Sequence, residues 1–440
     1  MSPYKCYYNH KVGLADLAEK TFRVLPLPPE GVREHLGGAP LNTCLLGMHE
    51  EKDPLVLGTG PLTGSFAPAS CLLVATFRPP GSSRPAHVPL TLRTGPEMKF
   101  SGLDFLVIHG RSSSPVVLKI KNGEGTFAGG EGIHGKNLTE AQASLHRFGE
   151  FRAVLLAGRA GALQVPRAAA QVGQAGSFDK AGLALWMGRK NLEGILFQGA
   201  GGLFFAGDHA GLSLELGKRI RLKEGKPEGF RSLLKKTGGN ILTGDLFRGT
   251  DEKIMACYHC LYPCMTRLSF SNRRFVSGRD KVRWKSVWLA DSVGFTSLVE
   301  KRPADVLPLL KACREFGLDP QAVAPVLNRE DPYSDTLVRL ESLLLENNGK
   351  EPPVQGEVAS FASGMPSPAV TGGEEETAST RKKMAVAMIL GICPLFLFLV
   401  PCLDVPDYLN FLPREKGASA FYREKVEELS KRLIGEYPVP

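Results

Sequence analysis

The sequence predicts an α+β fold in which a sheet-rich N-terminal domain, residues 1–205, precedes a mostly α-helical region. Short apolar segments that end in turn residues run up to about residue 202, and helical periodicity begins after about residue 212. The length of 440 residues allows two or three domains. A content of 43% hydrophobic and 22% charged residues is typical of a folded globular chain.

The β segments of the first domain lack the regular alternation with helices that a doubly wound nucleotide-binding fold requires. One helical interval is predicted at 138–149, and Asn122-Gly123 predicts the turn of a β-hairpin. The predicted strands lie at 54–60, 70–77, 103–110, 115–124, 151–158 and 192–202.

The second region, 206–348, is predicted to be mostly helical. Residues 349–380 are rich in Pro, Gly, Ser and Glu, which predicts a flexible linker, and residues 381–440 predict a C-terminal helical segment. The helical periods of the second region lie at 286–298, 304–317 and 335–348.

Residues 384–403 form an apolar stretch without a charged side chain. A hydropathy rule interprets such a stretch as a membrane span. Pro394 and Pro401 would break a straight helix, and Asp404 follows at once, so a buried core helix is the alternative. We expect the buried helix.

Lys and Arg outnumber Asp and Glu by 54 to 45, a net charge of +9 that can attract acidic partners but does not by itself indicate nucleic acid. We expect no nucleic-acid partner. The opening residues lack the long apolar stretch of a secretory signal, which predicts a cytoplasmic location, where structural disulfides are rare. The nine cysteines therefore need another explanation.

Three cysteines form the motif Cys257-Tyr-His-Cys260-Leu-Tyr-Pro-Cys264, with the spacing C-x2-C-x3-C. Three thiolates so close can bind one iron–sulfur cluster with a fourth ligand from elsewhere in the chain. Cys393 is the candidate for that ligand, and Cys402 is the fallback. Zinc is the first alternative, although structural zinc usually takes two paired motifs and only one pair is present. Buried cysteines without a metal are the second alternative.

A basic run follows the cysteine motif. One interpretation is a solvated surface, and the other is a docking patch for an acidic electron carrier, because opposite charges speed encounter. The run comprises Arg267, Arg273, Arg274, Arg279, Lys281, Arg283 and Lys285, with Asp280 against it.

Three segments, 58–70, 93–124 and 180–201, are similar, in the same order, to the N-terminal domain of the aldehyde ferredoxin oxidoreductase family. The cysteine motif stands where that family holds a four-iron four-sulfur (4Fe-4S) cluster. The resemblance implies two packed β-sheets of six strands each in the first domain, over a tungsten ion held by two pterin dithiolenes. It implies that the helical region carries the cluster. It also implies oxidation of aldehydes to carboxylates, with electrons passed through the cluster to ferredoxin.

Two pterin-binding motifs of the family are partly present in this sequence. The first, D-x-x-G-L-D, falls on 314–319 with Arg314 at its leading Asp. The second, D-x-x-G-L-C, falls on 388–393 with Met388 at its leading Asp. The resemblance implies that the cofactor contacts are Arg93, Gly95, Lys180, Gly182, Gly317, Leu318, Asp319, Gly391 and Ile392, and that the cluster ligands are Cys257, Cys260, Cys264 and Cys393.

Other positions also depart from the family pattern. Leu72 replaces an arginine, residues 89–92 replace an Asn-Ser-Gly-Gly stretch, and Lys180 begins what is an Arg-Gly-Gly stretch in the family. A glutamate near the metal aligns loosely with Lys285. A buried pterin needs hydrogen-bond partners, so these losses predict a shortened and partly degenerate member of the family.

Three functions stay open from the sequence, and the third, a molybdopterin oxidoreductase of the class with C-x2-C-x3-C near its start, is disfavoured because the triplet here lies mid-chain. The first is an oxidoreductase with a tungsten or molybdenum bis-pterin and one 4Fe-4S cluster, which oxidises aldehydes or related carbonyl compounds. The second is a non-catalytic electron-transfer or scaffold subunit that keeps the cluster and has lost the pterin site. Either would work with ferredoxin or another electron-transfer subunit, and either is compatible with an oligomer. Neither identifies a catalytic residue.

Overall fold

A computed structural model gives the fold. It describes residues 7–79, 82–176, 179–203, 205, 207–236, 247, 250–270, 275–277, 282–284, 286–328, 331–344, 374–413 and 418–435. The fold is α+β, with two mixed sheets in the N-terminal part and a helical C-terminal part. The largest hydrophobic core extends from Tyr7 to Leu433 and therefore joins both parts.

The first sheet has six strands in the order β2-β1-β6-β3-β4-β5. β1 runs parallel to β6, and the other neighbouring pairs are antiparallel. Every residue of β3, β4, β5 and β6 is buried, as expected for apolar strands covered on both faces. The strands are β1 (Lys11–Asp16), β2 (Thr21–Pro26), β3 (Leu55–Thr59), β4 (Leu73–Phe77), β5 (Ala86–Leu90) and β6 (Phe105–His109).

The second sheet has five strands in the order β10-β9-β11-β7-β8, so the expectation of two six-stranded sheets is met for one sheet only within the described residues. The hairpin predicted at Asn122-Gly123 is confirmed: both residues have positive φ and join β7 to β8. The strands are β7 (Val116–Lys121), β8 (Glu124–Gly129), β9 (Ala153–Leu156), β10 (Gln171–Val172) and β11 (Leu192–Gln198).

Six α-helices accompany these sheets among the described residues. α2 packs on β3 and β4, and α6 packs on β11. The predicted helical interval at 138–149 holds one helix that continues as a 3-10 turn. The helices are α1 (Pro29–His35), α2 (Gly38–Met48), α3 (Thr94–Phe100), α4 (Leu138–Ser144), α5 (Gly158–Ala162) and α6 (Leu183–Arg189).

The strand predicted at 70–77 begins later than expected, at Leu73. The Cys71 amide donates to the Ala69 carbonyl, and the Leu72 amide donates to the Gly391 carbonyl, so neither amide pairs with a neighbouring strand. These hydrogen bonds hold residues 70–72 in a loop at the end of the sheet, next to the C-terminal part of the chain.

The C-terminal part is not purely helical, because a three-stranded antiparallel sheet, β12-β13-β16, lies within it. The cysteine motif connects β12 to β13. The predicted helix at 286–298 is wrong in its first third, where the alternating burial of Ser286–Leu289 is that of a half-buried strand. The strands are β12 (Thr250–Met255), β13 (Met265–Phe270), β14 (Phe275–Ser277), β15 (Val282–Trp284) and β16 (Ser286–Leu289).

The helices of this part pack around that sheet. α9 contacts α10 and α11, and α10 contacts β16. The helices are α7 (His209–Glu224), α8 (Phe230–Lys236), α9 (Ser292–Lys301), α10 (Val306–Phe316), α11 (Pro320–Val323), α12 (Tyr333–Leu343), α13 (Glu374–Leu390), α14 (Pro394–Leu399), α15 (Val405–Leu409) and α16 (Ala418–Gly435).

The apolar stretch 384–403 forms two buried helices rather than one. α13 ends at Leu390, Gly391 has φ 86°, and α14 begins at Pro394. α13 packs on α16 and on α2 of the N-terminal part, and α14 packs on α8. No helix in the described ranges combines the length and the apolar character needed to cross a membrane.

The predicted linker lies mostly outside the described residues. Residues 345–373 are not described, and α13 begins at Glu374, so the end of the predicted 349–380 linker is helical. Most of the basic run that follows the cysteine motif, including Lys285, also lies outside the residues whose side chains are described.

Candidate iron–sulfur site

The cysteine motif lies in a tight turn between two strands. The Cys260 amide donates to the Cys257 carbonyl at 3.2 Å, and His259 has φ 47°, a left-handed conformation that turns the chain sharply. The turn is anchored to the N-terminal part, because the Tyr258 amide donates to the Leu92 carbonyl at 2.9 Å and its hydroxyl donates to the Gly64 carbonyl at 3.1 Å.

Ala69 links this turn to Cys393. The Ala69 amide donates to the His259 carbonyl at 2.8 Å, and the Ala69 carbonyl accepts from the Cys393 amide at 2.9 Å. Three chain segments far apart in the sequence therefore meet at one residue. The structure brings Cys393, at the start of α14, to the same place as the predicted triplet.

The thiols of the four predicted ligands influence one another electrostatically. Burial raises the pKa of Cys264, and the neighbouring thiols of Cys393, Cys257 and Cys260 raise it further. Burial also raises the pKa of Cys260, again with contributions from Cys257 and Cys393. Several buried thiols without a cation therefore resist ionisation, whereas bound iron would stabilise them as thiolates.

Cys257 differs from the other motif cysteines. A hydrogen bond from the Cys71 thiol lowers its pKa most, burial opposes this, and hydrogen bonds from the Leu92 amide and the Thr91 side chain lower it further. These donors stabilise a negative sulfur at Cys257, which is the form that binds a metal. Thr91 lies within the 89–92 stretch, where the sequence suggested only a lost cofactor contact.

Cys71 was missed as a site residue. Hydrogen bonding with the thiols of Cys257 and Cys393, together with complete burial, raises its pKa well above the usual value. In the sequence, its place in the apolar run 70–77 suggested a strand residue. The available signal was its position at the end of the segment 58–70, which itself resembles the family pattern.

The side chain of His259 contacts other protein groups rather than serving as a metal ligand. Its Nε2 is 2.9 Å from the Ser213 hydroxyl at the start of α7, and its ring contacts the edge of Phe66. Phe66 is half exposed, so an aromatic side chain lies at the surface beside the cysteine turn. Cys402, the fallback ligand, has its amide bonded to Glu224 at 3.1 Å.

The four thiols fit a 4Fe-4S cluster in number and in chemistry, since such a cluster is held by four cysteine thiolates. Across the described ranges, no group of three or more His, Cys, Asp or Glu side chains is arranged around a position for one metal ion. A four-iron cluster takes one thiolate on each iron, so its ligands stand farther apart than those of a single ion.

The first pterin motif lies beside a buried ionic cluster. Lys180 Nζ is 3.0 Å from an Asp291 carboxylate oxygen and also hydrogen-bonds Asp319. Burial lowers the pKa of Lys180, but the two carboxylates outweigh burial and raise the pKa above its usual value. Arg314 is buried nearby, and burial lowers its pKa to about 10. Asp291 had no sequence signal beyond its position as a helix cap.

This ionic cluster leaves little space. The cavity it lines, with Leu318 and Gln171 among its other walls, encloses about 30 Å³. A cavity needs roughly 10–15 Å³ in this measure to hold one water molecule, so this cavity has room for water and is far too small for a pterin. The residues present at this position therefore do not fit a pterin.

The glycines of the two pterin motifs serve the packing of the backbone. Gly317 has φ 72° at the end of α10, and a Cβ there would come within 3.2 Å of Gly158. Gly391 has φ 86°, and a Cβ there would lie 2.0 Å from the Thr63 hydroxyl. Gly182 caps α6 with φ 88°. Each position requires glycine without any cofactor.

The remaining predicted cofactor contacts, Arg93, Gly95 and Ile392, lie beside the cysteine turn rather than beside Lys180. Arg93 lies over the Tyr258 ring at 5.7 Å and is paired with the buried Glu97 at 2.7 Å. A Cβ on Gly95 would come within 2.5 Å of the Leu72 carbonyl. Ile392 is completely buried between Gly391 and Cys393. These residues support the loops that hold the thiols.

Comparison with known proteins agrees with this geometry. Residues 13–199, which contain both N-terminal sheets except β1's first residues, match the family model "Aldehyde ferredoxin oxidoreductase, N-terminal domain". Over these residues the chain is similar to the N-terminal domain of the aldehyde ferredoxin oxidoreductase family.

Curated relatives match less than half of the chain. The tungsten-containing aldehyde ferredoxin oxidoreductase of Pyrococcus abyssi is 27% identical over 202 residues, 44% of this chain and 33% of that protein. The aliphatic sulfonate oxidoreductase, WOR-like subunit, of Pyrococcus furiosus is 26% identical over 221 residues, 44% of this chain and 35% of that protein. The matched segments span about a third of the length of these relatives.

A solved structure shares the fold over nearly the whole chain. It is described as the active site complex BamBC of benzoyl coenzyme A reductase in complex with 1,5 dienoyl-CoA. The TM-score is 0.72 at 14% identity, and the match covers 98% of this chain and 91% of that chain. At this identity the likeness is one of fold alone.

Proposed function

We propose that this chain is a non-catalytic electron-transfer subunit that carries one 4Fe-4S cluster on Cys257, Cys260, Cys264 and Cys393. The observation that carries the proposal is a contrast between neighbouring sites. Thiols from two distant segments lie close enough to raise the pKa of Cys260 and Cys264, while the position of the pterin motif is filled by paired side chains. The cluster, when bound, supplies one-electron transfer.

The protein's own groups prepare the thiols for iron. Hydrogen bonds from Leu92 and Thr91 reach the Cys257 sulfur, and donors of this kind stabilise a thiolate ligand. Arg93 lies over the ring of Tyr258, next to Cys257, and is held there by its ion pair with Glu97. These contacts support a function for the site beyond packing.

The ionic cluster argues against the catalytic alternative. A pterin could occupy the position of the first motif only if Lys180 left Asp291 and Asp319, and uncoupling buried ion pairs costs about 3–5 kcal/mol. Arg314 replaces the family carboxylate at the same place. The charged side chains at this position therefore pair with one another rather than with a cofactor.

A partner follows from the electron-transfer role. One relative is described as a subunit, and the structural likeness is to a chain of a complex, which supports assembly with another subunit or within an oligomer. Ferredoxin or another electron-transfer subunit would exchange electrons with the cluster near Phe66 and His259, where an aromatic side chain is exposed.

Oxidation of aldehydes with a tungsten or molybdenum bis-pterin is the second candidate. The names of the tungsten-containing relatives favour it, and Arg93 and Gly95 of the cofactor set are retained. In that case the missing space must be created by a rearrangement of the ionic cluster around Lys180.

Metal content tests the two candidates. The chain is purified without oxygen from a host that makes the pterin cofactor, and iron, tungsten, molybdenum and pterin are measured. About four irons per chain without stoichiometric tungsten or molybdenum is the expected result. Stoichiometric tungsten or molybdenum with two pterins, and reduction of a viologen by aldehydes, would overturn the proposal in favour of the second candidate.

A further inference from the structure

Helix α7 packs against the cysteine turn. The Ser213 hydroxyl on α7 is 2.9 Å from Nε2 of His259, and a Cβ on Gly217 would lie 3.5 Å from the side chain of Leu261. Ser213 and Gly217 are four residues apart, so they lie on the same side of the helix. One side of α7 is therefore in contact with the turn that carries three of the proposed cluster ligands.

The face of α7 beside this contact is exposed to solvent. Leu214 and Arg221 lie one helical turn before and after Gly217, and Lys218 lies one turn after Leu214. All three side chains are exposed, Leu214 to 68%. Phe66, whose ring contacts the histidine of the turn, is half exposed. We call Phe66, Leu214, Lys218 and Arg221 together the turn-side patch.

The two cations of the turn-side patch are available to a partner. Within the described residues, neither Lys218 nor Arg221 has an ion pair, whereas their neighbour Arg219 pairs with Asp407 at 2.5 Å. An exposed leucine flanked by unpaired cations fits an acidic protein surface, because opposite charges raise the rate of encounter and apolar contact then excludes water. The patch therefore favours an acidic partner.

Other occupants fit this patch less well. The chain has a net charge of +9, so a second copy would bring like charges together. A lipid surface needs a broad apolar face, but Leu216 and Ile220 of α7 are buried in the core, so two exposed leucines remain on the helix. α7 also lies outside residues 13–199, so the patch extends beyond the part that matches the family model.

We propose that the turn-side patch is the docking surface for a small acidic electron-carrier protein of the ferredoxin class. The inference rests on the proposed function, since a docked carrier needs a cluster with which to exchange an electron. It adds the place of docking: a carrier on this patch lies against the side of α7 that contacts the cysteine turn. One electron passes between the two clusters, so one is oxidised as the other is reduced, and no bond forms or breaks.

Charge reversal on two sides of α7 tests this surface. The iron content of the wild type and of each variant is measured first, and a purified acidic two-cluster ferredoxin is then titrated into the iron-loaded chain by isothermal titration calorimetry. Lys218→Glu and Arg221→Glu change the patch, and Leu214→Ser removes its exposed leucine. Lys223→Glu is the matched control, because Lys223 is an exposed cation nine residues after Leu214 and thus on the opposite side of the helix.

The expected result is unchanged iron content in all four variants and weaker binding in three of them. At roughly 0.1 M salt, the Kd should rise about fivefold in each of the two patch charge reversals and about threefold in Leu214→Ser, and it should change less than about twofold in Lys223→Glu. High salt should reduce the difference between Lys218→Glu and the wild type, because it screens exposed charges.

Several results would overturn the inference. Equal binding by the iron-loaded wild type and the three patch variants would place the carrier elsewhere on the chain, and the proposed function would stand on the iron content. No binding of ferredoxin by the iron-loaded wild type would also overturn it, as would a dimer that Leu214→Ser dissociates or binding of anionic lipid vesicles in place of ferredoxin. A wild-type chain without iron would overturn the proposed function as well, and metal analysis recognises this outcome before any titration.

Discussion

The thiol site and the ionic cluster lie in the same protein at positions where the family motifs predict cofactor contacts, yet they have opposite character. At the thiol site, burial and the neighbouring thiols raise the pKa of Cys260 and Cys264, so these thiols resist ionisation unless a cation binds. At the ionic cluster, Lys180 already neutralises Asp291 and Asp319. Buried charges need partners, so the thiols could ionise together only with a cation from outside the chain, whereas the ionic cluster supplies its own.

The largest expected effect is a loss of iron from the thiol site. Cys393→Ala should remove most of the iron, from about four per chain to less than one, because a cubane that loses a buried thiolate is left with an open iron. Cys402→Ala is the control and should keep its iron, since Cys402 lies by Glu224. Iron content and visible absorbance measure both. Loss of iron in Cys402→Ala but not in Cys393→Ala would show that Cys402 is the fourth ligand.

The next effect concerns the ionic cluster. Lys180→Met should lower the free energy of unfolding by about 3–5 kcal/mol, because two buried carboxylates lose their cation. Lys235→Met breaks the exposed pair with Glu228 and should cost about 0–1 kcal/mol. Urea unfolding compares the two variants. Equal small losses would show that Asp291 and Asp319 do not depend on Lys180, and the contrast between the two sites would disappear.

A smaller effect, on the pH dependence of the free energy of unfolding, is expected from His87, a buried histidine that stays uncharged. His87 on β5 is completely enclosed, its Nδ1 is 2.9 Å from the Thr76 hydroxyl, and burial lowers its pKa to about 4. In the unfolded chain the pKa is about 6.5, so below that pH the unfolded state binds the proton more readily. The stabilisation is therefore complete above pH 6.5 and is lost as the pH falls towards 4.

The difference in pKa corresponds to roughly 3–3.5 kcal/mol. His87→Gln should flatten the fall in urea stability between neutral and acidic pH, whereas His146→Gln, at an exposed position, should leave it unchanged. An unaltered pH profile in His87→Gln would show that His87 binds a proton as readily in the folded chain as in the unfolded chain, and that burial does not lower its pKa.

The sequence by itself determined the fold class and the identity of the candidate ligands. Strand patterns, the Asn122-Gly123 turn and the change to helical periods are local signals, and they predict an α+β chain without knowledge of contacts. The spacing of the cysteine triplet is also local. The resemblance to the family then placed Cys393 in a motif, and the structure brings it to the triplet through Ala69.

Tertiary structure alone decided what surrounds those residues. Cys71 looked like a strand residue until hydrogen bonds to Ala69 and Gly391 turned its segment into a loop beside the thiols. Lys180 looked like a cofactor contact until Asp291, distant in sequence, was found to neutralise it. A charge or a thiol takes its role from its neighbours, and the pairing of segments far apart in the chain is set by packing rather than by local pattern.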